Sequence, residues 1–383
     1  MFQLSILSSI VWDPMKEIIK GIQPPVWYSV LFAFGFIIGY QIMVHIFKKE
    51  GKDPLNVDTL TVHMVLATII GARLGHLVFY EPDRFLADPL MFFRTWEGGL
   101  ASHGAAIVIP LALFLYRNYF VRSKLFPLKD LFKKQKRTGQ SYLWILDRIA
   151  ITVALAAVFI RVGNFVNSEI EGKPTDSDYG VVFGRVGEIY LAEGINGIED
   201  AEASKGTSTE TLMPGIIPVD IEVTFTGTST AEQDVRRVLE NQVKSQLLRY
   251  PVSDHYKEIA GVPLNYDLTM KNRLWVATVH TFGISRHPAQ LYEAATSLIL
   301  FFILLALWMK YKEKTPEGLL LGIFFLWIFG FRFFHETFKE NQVAFEDNMT
   351  FNMGQLLSIP LVLAGILILA RVAILKNKKS PKH

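Results

Sequence analysis

Seven apolar segments set the rhythm of this chain, at residues 26–46, 59–80, 100–116, 142–165, 289–309, 318–335 and 353–375. Each is close to the ~20 apolar residues that a helix needs to cross a bilayer. The stretch between the fourth and fifth segments, residues 174–285, has a different pattern. A connection this long should be a folded insert, since loops between elements are usually only ~4–6 residues. Within it, IIPVDIEVTF at 216–225 is β-branched and partly alternating, which predicts a strand. Thr230 with Gln233 forms a capping box. The following residues, 231–250, place Val235, Val238, Leu239, Val243 and Leu247 on one helical face. The polar stretch 194–210 reads as a mobile loop. The pattern therefore predicts an all-α polytopic membrane protein with seven transmembrane helices and a small α+β extracytoplasmic insert. Residues 1–173 would carry helices one to four with the N-terminus outside, 174–285 the insert, and 286–383 helices five to seven with a basic cytoplasmic tail.

Composition agrees with this reading. At 50% hydrophobic and only 20% charged, the chain is more apolar than a soluble protein of its 383 residues should be. Net charge is only +3, yet its distribution is uneven. Lys48, Lys49 and Lys52 follow the first segment, and residues 117–137 hold eight Lys or Arg against one Asp. Lys310, Lys312 and Lys314 follow the fifth segment, and Lys376, Lys378, Lys379 and Lys382 the seventh. Residues 164–285, by contrast, hold 18 Asp or Glu against 10 Lys or Arg. The two kinds of connection alternate, so the positive-inside rule puts the N-terminus outside and the C-terminus in the cytoplasm, as an odd number of spans requires. The first residues lack a basic start and a cleavage motif, so they are not read as a signal peptide. The chain has no cysteine, which excludes disulfides, a protein-borne thiol nucleophile and thiolate metal sites.

Polar groups are set inside the ends of five apolar segments, where they are costly unless paired or hydrated, and therefore mark a functional site. Arg73 lies between Gly71 and Gly75, a pair spaced for close helix packing. An arginine snorkelling to the interface is the equal alternative there. The run Trp96-Glu-Gly-Gly-Leu-Ala-Ser-His103-Gly104 opens the third segment, and its histidine is a candidate general base. Arg161, Asn164, Asn167 and Glu169 crowd the end of the fourth. A guanidinium flanked by carboxamides suits a phosphate, whereas an Arg161–Glu169 ion pair would leave two asparagines without a purpose. Arg286-His-Pro-Ala-Gln290-Leu-Tyr-Glu293 opens the fifth segment, with Gln290 and Glu293 on one face. Arg332 and Glu336, one turn apart, end the sixth and could equally form a self-satisfied pair. The predicted topology brings all of these to the outer side. A cavity there, with arginines for an anion and apolar walls for acyl chains, fits a phospholipid.

These motifs resemble the bacterial prolipoprotein (phosphatidylglycerol–prolipoprotein) diacylglyceryl transferase family over most of the chain. The family signature G-R-x-G-N-F-x-N-x-E-x-x-G stands here as Ile160-Arg161-Val-Gly163-Asn164-Phe165-Val-Asn167-Ser-Glu169-Ile-Glu-Gly172. The W-x-G-G-…-H-G, G-A-R-L-G and R-H-P-x-Q-L-Y-E blocks occur in the family's order, with Trp27 and Tyr28 at the first segment. The resemblance implies a transferase of the inner membrane with its active site toward the outer face. It would move diacylglyceryl from phosphatidylglycerol to the lipobox cysteine of a prolipoprotein signal peptide, and release glycerol phosphate. Its partners would be that lipid, that peptide and the membrane lipid bilayer, with no nucleic acid, no cofactor and no metal. Arg161 and Arg332 would bind the phosphate, and His103 would assist thiol deprotonation, for which an arginine-bound thiolate or a glutamate could serve instead. Asn164, Glu169 and Glu336 would order the head group and Tyr28 would line the cavity, with Arg73, Asn167, Arg286, Gln290 and Glu293 as further substrate-binding candidates.

Three features depart from the family pattern. Ile160 replaces a glycine, Ile328 stands where some relatives have tyrosine, and the insert is longer than expected. A lipid or anion transporter of the inner membrane is the alternative reading. It predicts repeat symmetry and polar residues through the membrane depth, neither of which the sequence shows. Another head-group transferase would want an Asp-rich Mg²⁺ motif at the outer span ends, and none is evident there.

Overall fold

The computed structural model describes residues 9–15, 17–19, 22–94, 99, 101–118, 137–177, 179–208, 212–227, 231–340, 346 and 349–379. A helix stands at each of the seven apolar segments: α1 Trp27–Lys49, α2 Leu55–Phe79, α3 Ser102–Asn118, α4 Tyr142–Val166, α5 Ala289–Tyr311, α6 Leu319–His335 and α7 Met353–Lys379. Six of them are long and apolar enough to cross a membrane. The seventh, α3, has 17 residues with Pro110 inside it and falls short of that length. Among the described residues, length and composition thus support six of the seven expected spans.

The chain divides into two compact units. One comprises Met1–Phe32, Val158–Ala295 and Phe331–Leu357, the other Ala33–Ala157, Thr296–Gly330 and Ser358–His383.

In the second unit α2 and α3 meet through glycines. A Cβ on Gly75 would lie 2.6 Å from Gly104 Cα, and one on Gly71 would lie 2.8 Å from Gly104 O. The spacing read from G-A-R-L-G therefore serves close backbone approach. Two charged groups missing from the sequence reading tie this unit together. Glu50, with no exposed side-chain surface, accepts from Arg148 Nε at 3.1 Å, Trp144 Nε1 at 2.8 Å and Trp308 Nε1 at 2.7 Å. Asp147 accepts from the backbone N–H of Gly318 at 2.7 Å and Leu321 at 2.8 Å, and so caps the start of α6. Helix N-termini leave such donors unpaired, and a carboxylate satisfies both the hydrogen bonds and the dipole.

The first unit contains the folded part of the insert. Strands β5 (Ile198–Lys205), β6 (Ile216–Phe225), β7 (Tyr266–Lys271) and β8 (Leu274–Ile284) form an antiparallel sheet in the order β5-β6-β8-β7. The predicted strand 216–225 is β6. The expected loop at 194–210 is corrected: Ile198–Lys205 pairs along β6, with Ile198 and Ala201 buried. Thr230, half of the expected capping box, lies outside the described residues. The helical run consists of Glu232–Arg237, a π-turn Val238–Val243, and Lys244–Leu247. It buries Val235, Leu239, Val243 and Leu247 against the sheet's core. Residues at every fourth position drift by about 40° per step on a regular α-helix, and the wider π-turn keeps these four aligned.

Four short strands complete this unit. Glu17–Ile19 (β2) and Ile22–Val26 (β3) form a hairpin before α1, and Ile10–Trp12 (β1) runs parallel to Val181–Phe183 (β4). The β1–β4 pairing sets Trp12 against the end of α4. Its indole N–H donates to Phe165 O at 3.0 Å, and its ring stacks on Phe165 at 4.6 Å.

Candidate active site

The signature segment breaks helical geometry where its polar residues begin. After α4 ends at Val166, Ser168 and Ile170 take φ values of 53° and 57° on either side of Glu169. A β-branched residue in the left-handed region is strained, and such strain is held only where surrounding contacts impose it. Those contacts are present. Asn164 Nδ2 donates to Glu169 Oε2 and Asn167 Nδ2 to Glu169 Oε1, each at 3.0 Å. Gln290 Nε2 donates to the Glu169 carbonyl at 2.7 Å. Beyond the turn, Gly172 N–H donates to His287 O at 3.1 Å and Lys173 N–H to Phe338 O at 2.8 Å. A Cβ at Gly172 would lie 2.8 Å from Phe338 O, so the last signature glycine is required by close backbone approach. A Cβ at Gly163 would meet the Tyr28 ring, 2.8 Å from Cδ2.

On this frame sits a row of alternating charges. Arg161 Nε lies 2.6 Å from Glu293 Oε2, and Glu293 Oε1 lies 2.6 Å from Lys339 Nζ. Lys339 Nζ lies 3.3 Å from Glu336 Oε1, which lies 3.4 Å from Arg332 Nε. Glu336 also accepts from Asn352 Nδ2 at 3.2 Å. Exposure rises outward along the row: side-chain exposure is 3% at Lys339, 9% and 10% at the glutamates, and 22% and 36% at Arg161 and Arg332. Arg161 donates from Nη1 to Asn164 Oδ1 at 3.3 Å. Among the described residues its Nη2 and both Nη atoms of Arg332 make no hydrogen bond to protein. Buried carboxylates thus fix two guanidinium groups by one edge and leave their ends to take an anion, the geometry that suits a phosphate.

Several sequence expectations are redistributed. The carboxylate beside Arg161 is Glu293 rather than Glu169. The asparagine amides serve Glu169, so their donors hold the turn. Arg286 donates to Gly172 O at 3.1 Å, Asp254 O at 2.8 Å and Glu340 Oε1 at 3.0 Å, joining three chain segments. In the other unit Arg73 is buried, 2% exposed, and donates to Met91 O at 2.6 Å, Arg94 O at 2.9 Å and Gly99 O at 3.3 Å. It organises the connection before α3 and does not snorkel. His103, on the first turn of α3, is half-buried, with the rings of Phe79 at 4.9 Å and Tyr80 at 5.7 Å. Trp96, Glu97 and Gly98 of its motif lie outside the described residues. Lys339 and Asn352 were missed by the sequence reading. Both lie beyond the apolar pattern of α6, and only the burial of Lys339 beside two carboxylates singles it out.

Six apolar helices long enough to cross a membrane define a multi-pass membrane protein, and the strained polar turn, half-open arginines and buried carboxylate–lysine core give it a charged site. The match to known sequences makes this specific. The model of the prolipoprotein diacylglyceryl transferase family matches residues 19–371, nearly the whole chain. The phosphatidylglycerol–prolipoprotein diacylglyceryl transferase of Tolumonas auensis is 32% identical over 343 residues, covering 90% of this chain and 89% of that protein. Those of Porphyromonas gingivalis and Chloroherpeton thalassium are 31% and 29% identical, each match covering 94% of both chains. The chain belongs to the prolipoprotein diacylglyceryl transferase family.

Proposed function

We propose that this protein transfers the sn-1,2-diacylglyceryl group of phosphatidylglycerol to the thiol of a prolipoprotein lipobox cysteine. The observation that carries the reading is the pair of arginines, Arg161 and Arg332, each held by a buried glutamate with its guanidinium end open. The names of the relatives support the same chemistry, and they give no support to a transporter.

In this reaction the thiol loses its proton, sulfur attacks the glyceryl carbon that bears the phosphate ester, and the C–S bond forms as the C–O bond breaks. The bonding pair leaves on oxygen, so a phosphodiester monoanion becomes a glycerol phosphate dianion. The added charge develops on phosphate oxygens, where fixed guanidinium donors lower the barrier because they need no reorganisation. Arg161 and Arg332 take this role. Glu169, braced by Asn164, Asn167 and Gln290, orders the glycerol head group through its charge, while Tyr28 lines the lipid's place beside Gly163. Thiolate is the effective nucleophile. His103 takes its proton, a role that rests on the family resemblance. Arg73 and Arg286 act through the backbone they hold.

The topology follows the alternating charge of the connections: α3 completes seven spans in the bacterial inner membrane, and the site and the sheet of the 174–285 insert face outward. The reaction is tested with detergent-solubilised protein, phosphatidylglycerol labelled in its head-group glycerol, and a lipobox peptide. Water-soluble labelled glycerol phosphate should appear only when the peptide carries cysteine. Equal release with a Cys→Ser peptide would make the protein a phospholipase instead.

A further inference from the structure

We propose that Lys339 is a positioning residue that sets the charge and separation of the two anion-binding arginines; the inference rests on the phosphate reading of Arg161 and Arg332. Lys339 is the most buried member of the row, and its Nζ is shared by Glu293 Oε1 at 2.6 Å and Glu336 Oε1 at 3.3 Å. Each glutamate also contacts one arginine, Glu293 reaching Arg161 and Glu336 reaching Arg332. The lysine thus lies at the centre of a five-membered chain whose ends are the groups open to an anion.

Two consequences follow from charge. Without Lys339, two buried carboxylates would face each other with no cation between them, an arrangement that low-dielectric surroundings penalise. Each would then draw its arginine fully inward, because no second cation competes for it. The row carries three positive and two negative groups, so it keeps one positive charge for a phosphodiester monoanion. Removing the lysine removes that surplus.

The backbone holds Lys339 in place independently of its side chain. Gly172 and Lys339 form an antiparallel bridge, Lys173 N–H donates to Phe338 O at 2.8 Å, and Lys339 N–H returns to Glu336 O at 3.4 Å. The end of the signature segment, where a Cβ at Gly172 would collide, is thereby registered against the lysine that spaces the arginines. Lys339 is too enclosed to contact the lipid and acts through Glu293 and Glu336.

The test compares wild type, Lys339→Met, Lys339→Arg and Lys339→Gln in the full-length protein. Two measurements are made: phosphatidylglycerol turnover, and the rise in melting temperature on adding glycerol phosphate. Lys339→Met should lower kcat/KM for the lipid by about 30-fold or more, with the peptide KM within about twofold of wild type and the glycerol phosphate shift lost. Lys339→Arg should recover most of both. If Lys339→Met does not fold, Lys339→Gln should show the same losses, since its amide keeps hydrogen bonds but removes the central charge. Turnover and anion shift at wild-type levels in either variant would overturn the proposal, as would Lys339→Arg failing as completely as Lys339→Met. If wild type turns over no lipid, the functional reading falls, and the anion shift alone decides the role of Lys339.

Discussion

Arg161 and Glu293 meet with Nε 2.6 Å from Oε2, joining the end of α4 to the start of α5 within one unit. The same carboxylate holds Lys339, so it compensates two cations in a place with little water. Glu293→Ala should therefore destabilise the protein by about 3–5 kcal/mol, the usual cost of leaving buried charge uncompensated. Chemical denaturation in detergent measures this, and a change below about 1 kcal/mol would mean that the cluster is hydrated and weakly coupled.

Arg161 and Arg332 are expected to matter for chemistry more than for stability. Arg332→Ala removes a half-exposed group whose ion pair with Glu336 is long, so the melting temperature should move little. Turnover should fall by about 100- to 1000-fold, as when a transition-state donor is removed. A saturation series in phosphatidylglycerol separates kcat from KM. A loss confined to KM would mean that Arg332 binds lipid without stabilising the leaving group.

Gly163 faces the Tyr28 ring, where a Cβ would come within 2.8 Å of Cδ2. Gly163→Ala should displace the ring and lower kcat/KM by about 10- to 100-fold, since small misplacements in a reacting site are costly. In a Tyr28→Leu background the same substitution should have much less effect, giving a coupling of about 0.5–3 kcal/mol in a double-mutant cycle. Additive effects would show that the glycine-sized space at position 163 serves something other than Tyr28.

Glu50 provides the contrasting case. Its carboxylate is enclosed by Arg148, Trp144 and Trp308, and no reacting group is among them. Glu50→Ala should cost about 3–5 kcal/mol of stability. Activity assayed well below the melting temperature should stay at the wild-type level, and a kcat defect in folded protein would give Glu50 a role beyond packing.

Asp13 supplies a pH signature outside the membrane. Burial pushes its carboxyl from 3.8 up to about 7, although it accepts the Ala203 N–H at 2.8 Å. The folded state therefore keeps a proton that the unfolded state releases near pH 4. Stability must fall as pH rises from about 4 to about 7, and level off above, because the unfolded chain binds fewer protons in that window. Asp13→Asn should flatten this slope and melt higher than wild type at pH 8. An unchanged slope would assign the pH dependence to another group.

Hydropathy made the helices legible because lipid-facing and core-facing positions are both apolar, and β6 was legible because its branched residues alternate in burial. Strand β5 was hidden. It lies at the sheet edge, buries only Ile198 and Ala201, and carries Glu199, Asp200 and Glu202, which blunt an exposed edge but read as loop. Arg161 and Arg332 stood out because charge inside an apolar segment is costly. The Arg332–Glu336 pair was legible from its spacing, whereas the contacts of Glu293 were not, because Glu293 and Lys339 meet across 46 positions and no local spacing encodes that contact. The hold of Asn164 and Asn167 on Glu169 was hidden for a related reason: a carboxamide suits a phosphate and a carboxylate equally, and the left-handed turn that brings Glu169 to them is invisible before the backbone is known.

The most direct test of the account is the intact mass of a lipobox peptide after incubation with phosphatidylglycerol and the purified protein. The account predicts a cysteine-linked diacylglyceryl thioether, absent with a Cys→Ser peptide and reduced to trace by Arg161→Ala. An unmodified peptide from folded wild-type protein, with phosphatidylglycerol present and intact, would contradict it.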